Sequence, residues 1–358
     1  MTTRRELAAL TSVRGIAAWA VVLYHIRLSA DWLPNGLVSM LAKGYLAVDF
    51  FFLLSGFVIW MTWADRLRSR GLAELPAFLQ KRVARIWPLH AVVLAGGVAL
   101  ALLLAATGRH DAREFPFAEL PLHLLLIQNW GFTDALAWND PAWSISAELG
   151  AYLLFPLLAL AIDWRRMPAW AVISAIAAGG VLLASIFAAA GAPTLGHEIA
   201  RLGLIRCVIE FAMGTAVAAL WLRWRDRPVL PALSATAVLT LLGTMTITGL
   251  IPEALGVPLA FAALLLALAL TSGMRGNPLE GRALHYLGEI SYATYLGHFL
   301  LWFAFKLAFV DDAHAVPPTL TALYLLLVLG SSIALYHLIE RPAQRAINAI
   351  RLRRPRPA

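Results

Sequence analysis

The sequence predicts an all-α, polytopic membrane bundle of about ten transmembrane helices with both termini in the cytoplasm. Three observations carry that expectation. Hydrophobic residues make up 60% of the 358 and charged residues only 14%, with a mean hydropathy of +0.73. A soluble domain of that composition has too little polar surface. The apolar residues also fall in blocks of about 20, the length that crosses ~30 Å of hydrocarbon as a helix. Finally, Lys and Arg collect in alternate gaps between the blocks.

Taken in order, the apolar spans run over 8–29, 36–62, 87–107, 143–162, 168–190, 204–222, 230–249, 254–273, 290–309 and 318–340. Proline and glycine punctuate the gaps, at Pro116, Pro141, Pro168, Gly191 to Pro193, Pro228, Pro252, Pro317 and Pro318. Residues 119–130 are apolar but too short to span, and read as a re-entrant or interfacial helix inside a long loop, 108–142. The N-terminus resembles a signal peptide, with Arg4 and Arg5 before an apolar stretch and Leu28-Ser29-Ala30 as a cleavage-like site. Arg14, His25 and Arg27 interrupt that stretch and favour a first membrane helix. Residues 1–343 are expected to form the membrane domain and 344–358 a basic cytoplasmic tail.

Orientation follows from the short loops. With the N-terminus inside, cytoplasmic segments hold Arg4, Arg5, Arg66 to Arg85 with Lys81, Arg165, Arg166, Arg223 to Arg227, Arg275, Arg282 and the tail from Arg341 to Arg356. These are 21 of the 29 basic residues. The net charge of +8 is therefore topology and attraction to anionic membrane lipid, and nucleic acid is not an expected partner. A single cysteine, Cys207, excludes disulfide frameworks and cysteine-ligated clusters. No metal site is expected: His197-Glu198 lacks the second histidine of a zinc-protease helix. No GxSxG, Walker or dinucleotide fingerprint occurs.

Charged groups at bilayer depth are costly and face a bundle interior or a wet cavity. Arg14 and His25 are eleven residues apart on the first span, only about 20° off three full turns, so both point the same way ~16 Å apart along the axis. They line one groove, or else are a snorkelling arginine and a hydrogen-bonded interior histidine. Asp49 on span 2 and Glu148 on span 4 lie at depths where they could meet His25. A histidine with a carboxylate in reach is the kit of general-base catalysis; the alternative is a structural salt bridge. Arg82 and Arg85 are i,i+3 neighbours whose guanidinium forks suit phosphate oxygens. Ser291, Tyr295 and His298 share a face of span 9, either a structural stripe or a substrate wall. Arg206 and Glu210, at i,i+4, are expected to satisfy each other, and Cys207 to be an ordinary buried thiol.

Together these segments resemble the acyltransferase 3 family of integral membrane O-acyltransferases. The likeness runs in order through Arg14-x10-His25, GYLAVDFFFLLSGF with Asp49, Phe52, Ser55 and Gly56, and Arg82-x-x-Arg85 followed by Ile86 and Pro88. It continues through Gln128 and Trp130, PAWSISAE with Trp143, Ser144, Ser146 and Glu148, RCVIEFAMG with Arg206, Phe211 and Gly214, then ISYATYLGH and Glu340 to Pro342. Ala47 and His90 depart from the family pattern, where glycine and tyrosine are common. The short basic segment after Pro342 carries no sign of the extracytoplasmic esterase-like domain that some relatives add.

The resemblance implies an acyl-CoA donor and histidine-dependent transfer to a hydroxyl acceptor. On that reading His25 is the general base, with Asp49 or Glu148 holding its ring. Arg14, Arg82 and Arg85 bind the phosphates of acyl-CoA, and Trp143, Ser144, Tyr295 and His298 line the substrate channel. Acetyl-CoA is the expected co-substrate, with no resident cofactor. The acceptor is a carbohydrate-type hydroxyl (surface glycan, exopolysaccharide or lipid-linked sugar), or alternatively a small secondary metabolite. The expected location is a bacterial cytoplasmic membrane. A proton-coupled transporter would also use buried His, Asp and Glu, but repeat symmetry and paired broken helices are not visible. A non-catalytic sensor or scaffold is the remaining class.

Overall fold

In the computed structural model, which describes residues 7–109 and 111–350, every regular element is helical. The helices are α1 (Ala8–Ile26), α2 (Asn35–Leu41), α3 (Ala47–Arg70), α4 (Leu75–Ala106), α5 (Leu120–Leu125), α6 (Ala142–Ala161), α7 (Ala169–Ala189) and α8 (Ile199–Trp224). They continue as α9 (Val229–Ile247), α10 (Glu253–Thr271), α11 (Arg282–Glu289), α12 (Ser291–Phe309), α13 (Pro318–Leu335) and α14 (Arg341–Ala349), the last two joined by a π turn over Tyr336–Glu340. Among the described residues, eight helical segments are long and apolar enough to cross a membrane. One of them, Asn35–Ala106, contains α2, α3 and α4 end to end.

Proline sets many of the helix starts. Helices α2, α6, α7, α9, α10 and α13 each begin directly after a proline, at Pro34, Pro141, Pro168, Pro228, Pro252 and Pro317. A ring that fixes φ and lacks an N–H costs nothing there, because the first helical N–H groups have no intrahelical partner anyway.

Three expectations about the spans need correction. Residues 36–62 are two helices, not one, separated by a break over residues 42–46. At that break Lys43 Nζ donates to Glu253 Oε2 at 2.7 Å and the Tyr45 hydroxyl donates to Glu253 Oε1, so both side chains are drawn to the start of α10. Helix α4 starts at Leu75 rather than near residue 87, with Pro76 in its first turn, which carries Arg82 and Arg85 inside the helix. The apolar stretch 119–130 is helical only as α5, ended by Leu126 in the left-handed region at φ 58°. That segment lies on α4: the Trp87 indole donates to Leu124 O at 3.0 Å, and His90 Nε2 meets His123 O at 2.8 Å. Of the expected basic tail, α14 packs on α4 through Gln80 Nε2, which donates to Ile347 O and Ile350 O at 2.7 and 2.8 Å. Residues 351–358 lie outside the described residues, as do Arg4 and Arg5.

Helices α3 and α8 pack backbone against backbone. A Cβ on Gly56 would collide with the carbonyl of Phe211, and one on Gly214 with the carbonyl of Leu53. Only glycine allows backbones this near, as small residues do wherever apolar helices pack in lipid.

Candidate active site

Two cavities meet inside the bundle. The first, about 160 Å³, is walled by Arg14, Arg82, Arg85, Glu148, Tyr152 and Tyr292. It adjoins a wider cavity of about 820 Å³, sharing Arg14, Leu54 and Val58 with it. The second, about 60 Å³, holds His25, Asp140, Trp143 and Arg206. The arginine and histidine cavities share Val48 and Tyr295 as a common wall. There the Tyr295 and Ser144 hydroxyls are 2.8 Å apart, and Tyr295 also donates to Pro141 O at 3.2 Å.

In the arginine cavity the three guanidinium groups are in different states. Arg85 is ion-paired with the buried Glu340. Arg14 makes one long bond, Nη2 to Gly288 O at 3.4 Å. The Nε groups of Arg14 and Arg82 are buried and have no hydrogen-bond partner among the described residues. Arg82 rests near the Tyr152 ring, 5.7 Å from its centroid, and the Tyr152 hydroxyl donates to Glu148 Oε1 at 2.6 Å. The cavity therefore presents spare N–H donors and positive charge, the complement of an anion with several oxygens.

The hydrogen-bond pattern at His25 assigns its tautomer. His298 Nδ1 lies 2.7 Å from Tyr295 O and 3.1 Å from Thr294 O. Carbonyls only accept, so Nδ1 carries the proton and His298 Nε2 is the acceptor nitrogen. His298 Nε2 faces His25 Nδ1 at 3.1 Å, and that nitrogen is also 2.9 Å from Val21 O. His25 thus donates from Nδ1 to both, leaving its Nε2 lone pair free in the cavity. The group facing Nε2 is Asp140 Oδ2, 3.8 Å away. An imidazole held by one nitrogen, with the other free and a carboxylate nearby, is arranged to take a proton and steady the charge.

The expected carboxylates are elsewhere. Asp49 is fully buried in the α3–α8 seam, where Arg206 Nε and Nη2 donate to its two oxygens at 2.7 Å each. Arg206 Nη1 donates to Leu195 O at 2.7 Å. Asp49 as the partner of His25 is therefore corrected, and so is the Arg206–Glu210 pair: both Glu210 oxygens lack a partner among the described residues. Glu148 belongs to the arginine cavity and is corrected as a partner of His25 in the same way. Span orientation put these groups at compatible depths, but helix rotation turned them to different neighbours.

Other expected residues are brought to the site. Ser291 and Tyr295 line the arginine cavity, Ser144 lines it too, and Trp143 lines the histidine cavity. Cys207 is buried and free. Sequence reasoning missed Asp140, Tyr152 and Tyr292, and it named Glu340 without its pairing to Arg85. Asp140 had a signal: it stands directly before the PAWSISAE segment, in a loop that returns to the bundle. Among the described residues no group of three or more His, Cys, Asp or Glu is placed to hold a metal ion.

A family model described as an acyltransferase domain matches residues 7–337. The chain is similar to Acyltransferase MdmB of Streptomyces mycarofaciens, 33% identical over 83% of this chain and 79% of that protein. It is also similar to Peptidoglycan O-acetyltransferase OatA of Listeria monocytogenes, at 24% over 68% of this chain and 39% of that protein. A third relative is Putative peptidoglycan O-acetyltransferase YrhL of Bacillus subtilis, at 24% over 82% of this chain and 48% of that protein. The chain thus spans less than half the length of the last two. No solved structure matches the chain. The apolar helices, the paired cavities and the match over residues 7–337 lead to one conclusion: the chain belongs to the acyltransferase 3 family, as a multi-pass integral membrane O-acyltransferase.

Proposed function

We propose that the protein transfers an acetyl group from cytosolic acetyl-CoA to a hydroxyl of a carbohydrate-type acceptor, with His25 as general base. The observation that carries this reading is the junction at Tyr295, with spare arginine donors on one side and a free imidazole nitrogen on the other. The reading includes ten membrane crossings, obtained by counting α3 and α4 separately and adding α12. Both termini are in the cytoplasm of a bacterium, and the inner membrane is the host bilayer. The arginine cavity then opens inward and the histidine cavity outward.

The donor binds through its charge. The 820 Å³ cavity has room for the nucleotide end, and the pyrophosphate reaches Arg82, Arg14 and Arg85. Arg82 and Arg14 contribute most, because Glu340 already occupies Arg85. The pantetheine arm runs to the shared wall at Val48 and Tyr295. The acceptor hydroxyl enters the histidine cavity and gives its proton to His25 Nε2. Its oxygen attacks the thioester carbonyl carbon, the tetrahedral centre collapses, the C–S bond breaks, and the CoA thiolate leaves. The thiolate takes the proton back from His25, and Asp140 steadies the imidazolium in between. A small acyl group suits a passage this narrow.

Radiolabelled acetyl-CoA incubated with purified protein and a cell-envelope glycan fraction tests the proposal. Label in the glycan is the expected result. Label accumulating inside sealed vesicles with no acylated product would instead make the protein a carrier. Mass spectrometry of envelope glycans from a deletion strain identifies the acceptor.

A further inference from the structure

Beside the histidine cavity is a smaller pocket of about 10 Å³ that shares Leu136, Asp140 and Trp143 with it. Six of its ten lining residues are polar: His123, Gln128, Asn129, Thr133, Asn139 and Asp140. His123, Gln128, Asn129 and Asn139 are all at least 95% buried. Yet Gln128 Oε1, Asn139 Oδ1, Asp140 Oδ1, Asn129 Nδ2 and both His123 nitrogens have no hydrogen-bond partner among the described residues. Glu119 Oε2 stands 3.9 Å from His123 Nε2, beyond hydrogen-bond reach.

The amide oxygens are left without partners for a reason. Gln128 Nε2 donates to Ala142 O at 3.3 Å, and Asn139 Nδ2 donates to Leu296 O at 2.9 Å. Each partner is a carbonyl that only accepts, so the NH₂ ends are committed and the oxygens are left over. Buried polar atoms are rarely left unpaired, and gathering several in one pocket calls for a partner that donates O–H groups. The pocket has room for one water or one hydroxyl. Asp140 joins it to the base, with Oδ2 toward His25 Nε2 and Oδ1 unpartnered.

We infer that this pocket binds a second hydroxyl of the acceptor, adjacent to the one that reacts, and so selects vicinal diols such as those of a sugar ring. Gln128 Oε1 or Asn139 Oδ1 accepts the one proton of that hydroxyl, and the Asn129 amide or His123 donates to its oxygen. A site with acceptors buried for an O–H rejects the analogue that lacks it, because those acceptors are then stranded. The inference rests on the transfer reading above and deepens it from a hydroxyl acceptor to a diol.

The test compares two ring alcohols of matched size, trans-cyclohexane-1,2-diol and cyclohexanol, as acceptors for radiolabelled acetyl-CoA with the purified protein in nanodiscs. The diol is expected to have the higher kcat/KM by ~100-fold. Gln128→Leu and Asn139→Leu should raise KM for the diol about tenfold and shrink that preference. Melting temperature and CoA binding report folding of each variant. Asn139 also anchors α12 through Leu296, so Asn139→Asp separates the two roles: it keeps an oxygen acceptor, loses the N–H, and should retain the diol preference. Equal use of both alcohols by the unmodified protein, or a preference unchanged in both Leu variants, overturns the inference and leaves a pocket for structural water. If only the envelope glycan is labelled, it is compared before and after periodate cleavage and borohydride reduction, which keep hydroxyls but destroy ring diols; equal labelling again overturns it. Label reaching none of these acceptors sinks the transfer reading itself, and the inference with it.

Discussion

Two regions of this bundle hold arginines inside it, and they use them in opposite ways. In the α3–α8 seam Arg206 spends its fork on both oxygens of Asp49 and its remaining amino group on Leu195 O. In the arginine cavity Arg82 and Arg14 keep buried N–H groups without a partner among the described residues. The charge is alike in the two places, although Arg206 is fully buried and Arg14 and Arg82 are half-buried. The difference is saturation: the seam arginine has nothing left for a ligand, whereas the cavity arginines do. A buried charge whose bonds are complete belongs to the architecture, and one with spare bonds belongs to a substrate.

The contrast breaks most sharply at the base. His25→Gln should lower turnover by ~10²–10⁴ while CoA binding and melting temperature stay close to those of the unmodified protein. A glutamine can hydrogen-bond but cannot take the proton. Near-normal turnover in steady-state assays would move the role to His298.

Next comes the seam, where the effect should be on stability. Asp49→Asn or Arg206→Met should each cost about 3–5 kcal/mol, read as a fall in melting temperature in detergent, because a lone buried charge is left behind. The double replacement Asp49→Leu with Arg206→Met should recover much of the loss. An Asp49→Asn protein that melts normally but is dead in turnover would return Asp49 to the chemistry.

Arg82→Ala tests the unsaturated side and should weaken CoA binding by about 1.5–3 kcal/mol in titration calorimetry. Arg82→Lys should also weaken it, since the charge remains but the fork is gone. Arg85→Ala should cost less, because Glu340 already holds that guanidinium. Equal CoA affinity in all three would reduce these arginines to topological charge.

The smallest effect belongs to Asp140. Asp140→Asn should slow turnover roughly tenfold, about 1.4 kcal/mol of barrier, with little change in KM for acetyl-CoA. That split distinguishes a group that steadies the imidazolium from one that binds the donor. A KM change with unchanged kcat would contradict this placement.

Much of the molecule was legible in the chain because its information is local. Apolar blocks announced the helices, prolines announced their starts, and the eleven-residue interval put Arg14 and His25 on α1, although they line two adjoining cavities and not the single groove expected. The stripe of Ser291, Tyr295 and His298 was also readable, since residues three and four apart on a helix share a face. The break over residues 42–46 was not, because it depends on Glu253, two hundred residues away.

The same division explains the site. Sequence by itself determined the membrane class, the residues that carry charge into it, and the paired arginines of α4. Only the tertiary structure decided which charge meets which. Helical periodicity relates residues within one helix, but partners across helices depend on rotation and separation. Gly56 and Gly214 bring α3 and α8 together so closely that Arg206 reaches Asp49 rather than Glu210 one turn along its own helix. The loop before α6 folds back to set Asp140 against His25, a contact that no spacing in the chain encodes.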